Sequence, residues 1–152
     1  AGLSWFIILK KREALRKAFA HFSPEKLARF NKKNIQQLLN NPEIIRHQGK
    51  IMNCINSAKI YLALEEKQGF SDYLWQFVNH KPIQNRWKHV SEIPAETPIS
   101  QMMGQQLKKQ GLNFVGSKIC YAFMQAVGMV NDHLTGCFRY SELSDKAANP
   151  EN

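Results

Sequence analysis

Residues 111 to 126 read Gly111-Leu112-Asn113-Phe114-Val115-Gly116-Ser117-Lys118-Ile119-Cys120-Tyr121-Ala122-Phe123-Met124-Gln125-Ala126, and this stretch decides the fold. Upstream of it Met102, Met103 and Leu107 recur at helical spacing, so Ser100 is read as opening a helix that reaches Lys109 before Gly111. Downstream, Ser117 is placed to cap a strongly apolar helix from Lys118 to Val127, with Ile119, Cys120, Ala122, Phe123 and Ala126 on it. The expected unit is helix, tight glycine hairpin, helix. In such a unit Gly116 lets the backbone approach a partner closely. The exposed amides at the second helix start can then bind a phosphate oxygen without reading sequence, and Lys118 adds charge at that spot. The same two-glycine turn also serves as a plain helix connection.

Outward from the hairpin the chain reads helical nearly throughout. From Leu3 to Phe22 the residues Phe6, Ile7, Leu9, Ala14, Leu15, Ala18, Phe19 and Phe22 recur at three and four, predicting one amphipathic helix with a single buried stripe. Ser23-Pro24-Glu25 restarts a short helix to Phe30: serine accepts first-turn amides, proline has no amide to waste, and the acid suits the positive end of the macrodipole. Ile35, Leu38 and Leu39 mark another, closed by Asn40-Asn41-Pro42. Ile51, Ile55, Ala58 and Leu62 carry a longer one from about Arg46 to Glu66, ended by Gly69. Ser71 is expected to cap a brief aromatic helix, Asp72 to Val78, whose Tyr73, Leu74, Trp75 and Phe77 read as core. Residues 79–98 carry prolines without a clean period and read as a loop. No alternating pattern with turn dipeptides occurs, so the expected class is all-α, without a sheet.

With 152 residues, 43% of them hydrophobic and 11% aromatic, the chain can bury a core, which excludes disorder for most of its length and fits one domain. No apolar run reaches the roughly 18 residues that span a bilayer, and Ala1-Gly2-Leu3-Ser4-Trp5 has no signal-peptide character. Cys54, Cys120 and Cys137 form an odd set without framework spacing, pointing to a reducing compartment; a soluble intracellular protein is expected. Lys+Arg number 21 against 12 Asp+Glu, a net charge of +9 that favours polyanionic partners, nucleic acid before membrane. The run Lys10-Lys11-Arg12 with Arg16 and Lys17 is equally compatible with a solvated helix face. A membrane-surface helix from Trp5 to Lys17 is disfavoured because its apolar face is needed by the core.

Gly2-Leu3-Ser4-Trp5, Ile44-Ile45-Arg46, Gly111-x-x-Phe114-Val115-Gly116-Ser117, Ile119-Cys120-Tyr121-Ala122-Phe123-Met124-Gln125-Ala126 and Met129-Val130-Asn131-Asp132-His133 together resemble bacterial DNA-3-methyladenine glycosylase I, from Ala1 to about Tyr140. The resemblance implies a helix-hairpin-helix DNA glycosylase domain over 1–140, followed by a disordered tail over 141–152. It also implies a monofunctional enzyme of base excision repair. Such an enzyme hydrolyses the N-glycosidic bond of N3-methyladenine flipped out of alkylated double-stranded DNA, and a monomeric, cytoplasmic, nucleoid-associated bacterial protein is expected. The methylated base is cationic and leaves readily, so recognition outweighs brute catalysis: the lesion must be extruded, the gap filled and the cation held on an aromatic face. By resemblance Trp5 stacks on the base, Leu3 plugs the vacated duplex, Gly2 beside it contacts the DNA, and Gly116, Ser117 and Lys118 grip the strand.

The family's base-contacting glutamate and tyrosine lie in an N-terminal segment ahead of the position that Ala1 matches, so no catalytic residue is assigned within this sequence. The chain is accordingly expected to be N-terminally truncated relative to the family, either as a fragment or as an inactive DNA-binding remnant. His133 and Cys137, four apart on one face of a helical turn, suit zinc. They match half of the family's structural zinc site, whose other two ligands lie in the same N-terminal segment, so zinc is expected to be weakly held or absent. Lys118 stands where lyase-type members of the wider superfamily carry a Schiff-base lysine, and a phosphate contact is the preferred role. The superfamily's catalytic aspartate aligns with Asn131, with Asp132 one place late. Gln110 and Asn113 replace basic residues near the hairpin, which predicts a shallow salt dependence of DNA binding. Trp75 is read as core, and Asn85-Arg86-Trp87 as a recurrent family segment without an assigned role.

Overall fold

The computed structural model describes residues 4–148, the side chains of Trp5 and of 145–148 excepted. The chain divides after Lys67 into two compact units, where length alone suggested one domain.

In the first unit the apolar run from Leu3 does not form one helix. It is cut into α1 (Trp5–Lys10), α2 (Arg12–Ala18) and a left-handed turn (Ala20–Phe22). Lys11 leaves helical geometry at φ −92° and ψ 3°, and Ala20, His21 and Phe22 all take positive φ, from 51° to 59°. The Lys11 ammonium is held by the carbonyls of Pro42 (3.2 Å) and Glu43 (2.8 Å), which ties the break to a distant loop. Phe6, Ile7, Leu9 and Phe22 are exposed, so the spacing did not mark a single buried stripe; packing starts at Ala14 and Leu15.

α3 (Pro24–Ala28) begins as its sequence dictates, with Ser23 Oγ accepting from the Lys26 amide and donating to Glu25. α4 (Lys32–Asn40) opens on a reciprocal cap between Asn31 and Asn34, a device that contributes about 1 kcal/mol. The long α5 (Gln48–Gln68) lays Ile51, Ile55 and Ala58 against Phe19, Leu27, Leu38 and Ile44, and these residues form the core of the unit.

The second unit starts with α6 (Phe70–Trp75), whose N-cap is Gly69 at φ 80°; Ser71 lies inside the helix and is not the cap. Tyr73 and Leu74 are buried, Trp75 only half. Within the 79–98 loop two residues form β1 (Ile83–Gln84), and α7 (Pro98–Lys109) and α8 (Ser117–Ala126) follow. Gly128, at φ 78°, turns the chain out of α8 into β2 (Val130–Asn131), which pairs in parallel with β1: Ile83 opposite Val130 and Gln84 opposite Asn131. A strand this short has no alternation to read, which is why the sheet expectation missed it.

α9 (Phe138–Ala148) overturns the expected disorder from Ser141 as far as Ala148. An Arg139–Glu142 ion pair and the Ser141 and Ser144 hydroxyls, bonded back to the carbonyls of Phe138 and Tyr140, support its turns. Ser144 also reaches Gln84 at 3.4 Å, which docks α9 on the strand pair.

Candidate nucleic-acid interface

The hairpin is built from its first cap onward. Thr97, not Ser100, is the N-cap of α7: the Ser100 amide donates to Thr97 Oγ1 (3.2 Å) and the Thr97 amide to Ser100 Oγ (2.9 Å), with Pro98 at the first helical position. Ser100, the N3 residue of this two-membered capping box, is fully buried. One turn later Gly104 makes the hairpin possible. A Cβ there would stand 2.8 Å from the Val115 carbonyl oxygen and 3.5 Å from Cys120 Sγ, so only glycine lets α7 close on the turn. Sequence reading passed over Gly104; a glycine inside an otherwise helical run is the signal that could have found it.

Gly111 takes φ 95° and Phe114 φ 58°, and these two residues reverse the chain. Gly116 sits at φ −69° and ψ 159°, ordinary extended backbone, and is the N-cap of α8 where Ser117 was expected. No atom lies within 4 Å of a Cβ built on Gly116, so the space beside its backbone is open. The first backbone amide with a helical acceptor is that of Cys120, bonded to the Gly116 carbonyl at 2.9 Å. The amides of Ser117, Lys118 and Ile119 precede it at the positive end of the helix. Lys108, Lys109 and Lys118 are exposed, as are Gln110 and Asn113. Burial pushes the Cys120 thiol up, with the Lys108 charge opposing it. With its side chain in solvent, Lys118 lacks the burial that a Schiff-base amine needs. The Ser117 hydroxyl donates to Glu96, a residue that sequence reading did not single out.

The second cluster lies where α8, β2 and the 79–98 loop meet. Asp132 Oδ1 accepts from Asn85 Nδ2 (2.7 Å) and Trp87 Nε1 (2.8 Å), and Oδ2 from Tyr121 OH (2.6 Å) and Gln125 Nε2 (2.7 Å). Burial disfavours its charge, but hydrogen bonds from Tyr121, Trp87, Asn85 and Gln125 outweigh it and hold the carboxyl below the usual carboxylate range. The Tyr121 phenol is displaced upward by burial and by the facing Asp132. With both oxygens doubly bonded, Asp132 is a tie and not a poised base. Asn131 is buried as well: its amide donates to Gln84 Oε1 (2.8 Å) and the Tyr140 carbonyl (3.3 Å), and its oxygen accepts from the His133 amide. The unassigned Asn85-Arg86-Trp87 segment thus has a job, two of its side chains anchoring the loop to Asp132.

His133 Nδ1 and Cys137 Sγ are 3.9 Å apart. Two ligands on one tetrahedral zinc stand about 3.5 Å apart, so the pair has metal-ligand spacing. Among the described residues no group of three or more His, Cys, Asp or Glu is gathered for a metal. A cavity of about 1100 Å³ opens beside His133, Asp132 and Gln125. Gly2 and Leu3 lie outside the described residues; Trp5 is the first residue of α1, and its side chain also lies outside the description.

The sequence profile of the methyladenine glycosylase family matches residues 1–140. The chain belongs to that family. It is 45% identical over 138 residues to DNA-3-methyladenine glycosylase of Haemophilus influenzae, covering 90% of this chain and 75% of the relative. To DNA-3-methyladenine glycosylase 1 of Escherichia coli it is 46% identical over 141 residues, covering 92% and 75%. Among solved structures, a variant of 3-methyladenine DNA glycosylase I in complex with 3-methyladenine matches with a TM-score of 0.85 at 36% identity, over 91% of this chain and 75% of that one. The mainly helical chain matches solved 3-methyladenine DNA glycosylase I structures, in keeping with the all-α expectation. The two-residue strand pair is a local departure from the all-α expectation.

Proposed function

We propose that this chain acts in base excision repair as a DNA glycosylase, hydrolysing the N-glycosidic bond of N3-methyladenine extruded from double-stranded DNA. The observation that carries the reading is the open backbone at Gly116, beside the free amides of α8, in a chain 46% identical to an enzyme named for this activity. In this reading the amides of Ser117 and Lys118 hold one strand phosphate and the Lys118 ammonium adds long-range attraction. Leu3 fills the gap in the duplex with Gly2 beside it at the DNA, and Trp5 stacks on the cationic purine. Asp132 takes no proton; it keeps the loop carrying Trp87 and helix α8 in register.

His133 and Cys137 are proposed as two ligands of a structural zinc, a role their chemistry and separation fit. When bound, the metal would cross-link the segment after β2 to other ligands; the reaction does not pass through it. The protein is proposed to work as a monomer in the bacterial cytoplasm, near the nucleoid. No helix among the described residues is long and apolar enough to cross a membrane. Incubation with methylated DNA, scored by chromatography for free 3-methyladenine, tests the activity. Release of the base supports the reading; DNA binding without release would make the chain a helix-hairpin-helix binding protein instead.

A further inference from the structure

Three features converge on one carboxylate at the hairpin. Glu96 immediately precedes Thr97, whose reciprocal bonds with the buried Ser100 fix the start of α7. Gly104 lets α7 approach the backbone of Val115 and Ser117, so α7 packs closely on the start of α8. Ser117, the first residue of α8, then donates its hydroxyl to Glu96 Oε2. A negative charge is therefore built in at the N-terminal start of α8, where the helix dipole and the free amides attract anions. The described ion pairs join Arg16 with Glu13 and Arg139 with Glu142, and neither engages Glu96.

Resting on the reading that this hairpin grips the DNA backbone, we propose that Glu96 is an internal counter-anion of the grip and sets its strength. In the free protein it holds the Ser117 hydroxyl. A DNA phosphate arriving at the same amides meets its like charge, and must draw the hydroxyl away from it. The phosphate contact is independent of sequence and damage, so Glu96 weakens binding to every duplex by the same factor and speeds release from undamaged DNA. A carboxylate at that place trades affinity for mobility along the duplex.

The test compares Glu96→Gln with Glu92→Gln. Glu92 belongs to the same loop, but its carboxylate binds the amides of Lys88 and His89, so its variant makes the same change in net charge elsewhere. Binding to a fluorescein-labelled undamaged duplex is measured at low salt by anisotropy. Glu96→Gln is expected to bind roughly three- to tenfold more tightly, as removal of one like charge in partly solvated surroundings predicts. The gain should shrink at high salt. On alkylated DNA its KM should fall by the same factor with kcat unchanged, while Glu92→Gln stays near the parent protein. Unchanged or weaker binding by Glu96→Gln, or an equal gain from Glu92→Gln, would overturn the proposal while leaving the DNA-binding reading intact. Failure of the unsubstituted protein to bind any duplex would remove that reading and this proposal together.

Discussion

Replacing Asp132 with alanine removes the acceptor of four hydrogen bonds at once and tests whether that carboxylate is a structural tie. A hydrogen bond to a charged acceptor contributes about 1.5–3 kcal/mol, but four on one group do not add. Gln125 is exposed and Asn85 and Trp87 are half-buried, so these donors recover water when Asp132 is gone. Tyr121 is only 2% exposed, and its hydroxyl is left without its acceptor, at a cost of about 1–3 kcal/mol. Adding the loosened loop anchor at Trp87, the expected destabilisation is about 2–4 kcal/mol, read as a shift of the urea unfolding midpoint. Tyr121→Phe alone should cost about 1 kcal/mol, and the double variant should fall short of the sum by a similar amount, because with Asp132 absent the phenol has nothing left to lose. Folded Asp132→Ala should still release base from alkylated DNA. A loss under about 0.5 kcal/mol, or strict additivity with Tyr121→Phe, would refute the tie. A hundredfold fall in release with folding intact would make Asp132 the base that its saturated oxygens argue against.

Gly104→Ala must push on the Val115 carbonyl, 2.8 Å from the new methyl group, and should destabilise by about 1–3 kcal/mol despite alanine's better helix propensity; thermal unfolding measures it. Lys118→Ala should lower the slope of log K against log salt by about 1 without abolishing base release, and neither it nor the parent should yield a borohydride-trapped strand adduct. His133→Ala or Cys137→Ala should reduce any zinc retained after purification, as measured by metal analysis, and should leave the affinity for undamaged DNA unchanged.

The hairpin was legible because helix periodicity, glycine punctuation and a basic turn coincide within a few residues. The start of α3 was equally legible, since Ser23, Pro24 and Glu25 each act locally. What escaped depends on contacts across the chain. The break at Lys11 rests on carbonyls of Pro42 and Glu43, and β1 exists only because β2 lies beside it. Apolar spacing in α1 predicts core, yet Phe6 and Leu9 are exposed, because periodicity reports a face without saying what covers it. Local sequence does not reveal what Asp132 and Glu96 do; their roles come from partners at least 7 residues away for Asp132 and 21 away for Glu96. The positions of the stacking and plugging residues, Trp5 and Leu3, rest on resemblance.

Gly116→Ala asks most directly whether the hairpin backbone grips a DNA phosphate. At φ −69°, with nothing within 4 Å of the added methyl group, alanine fits the free protein; its poorer standing as the N-cap of α8 offsets the unfolded-state gain, so stability should stay within about 1 kcal/mol of the parent. The methyl group would stand where the strand must approach, so affinity for duplex DNA should fall roughly tenfold, and release of 3-methyladenine with it at subsaturating DNA. A variant as stable as its parent that binds DNA just as tightly would contradict the account.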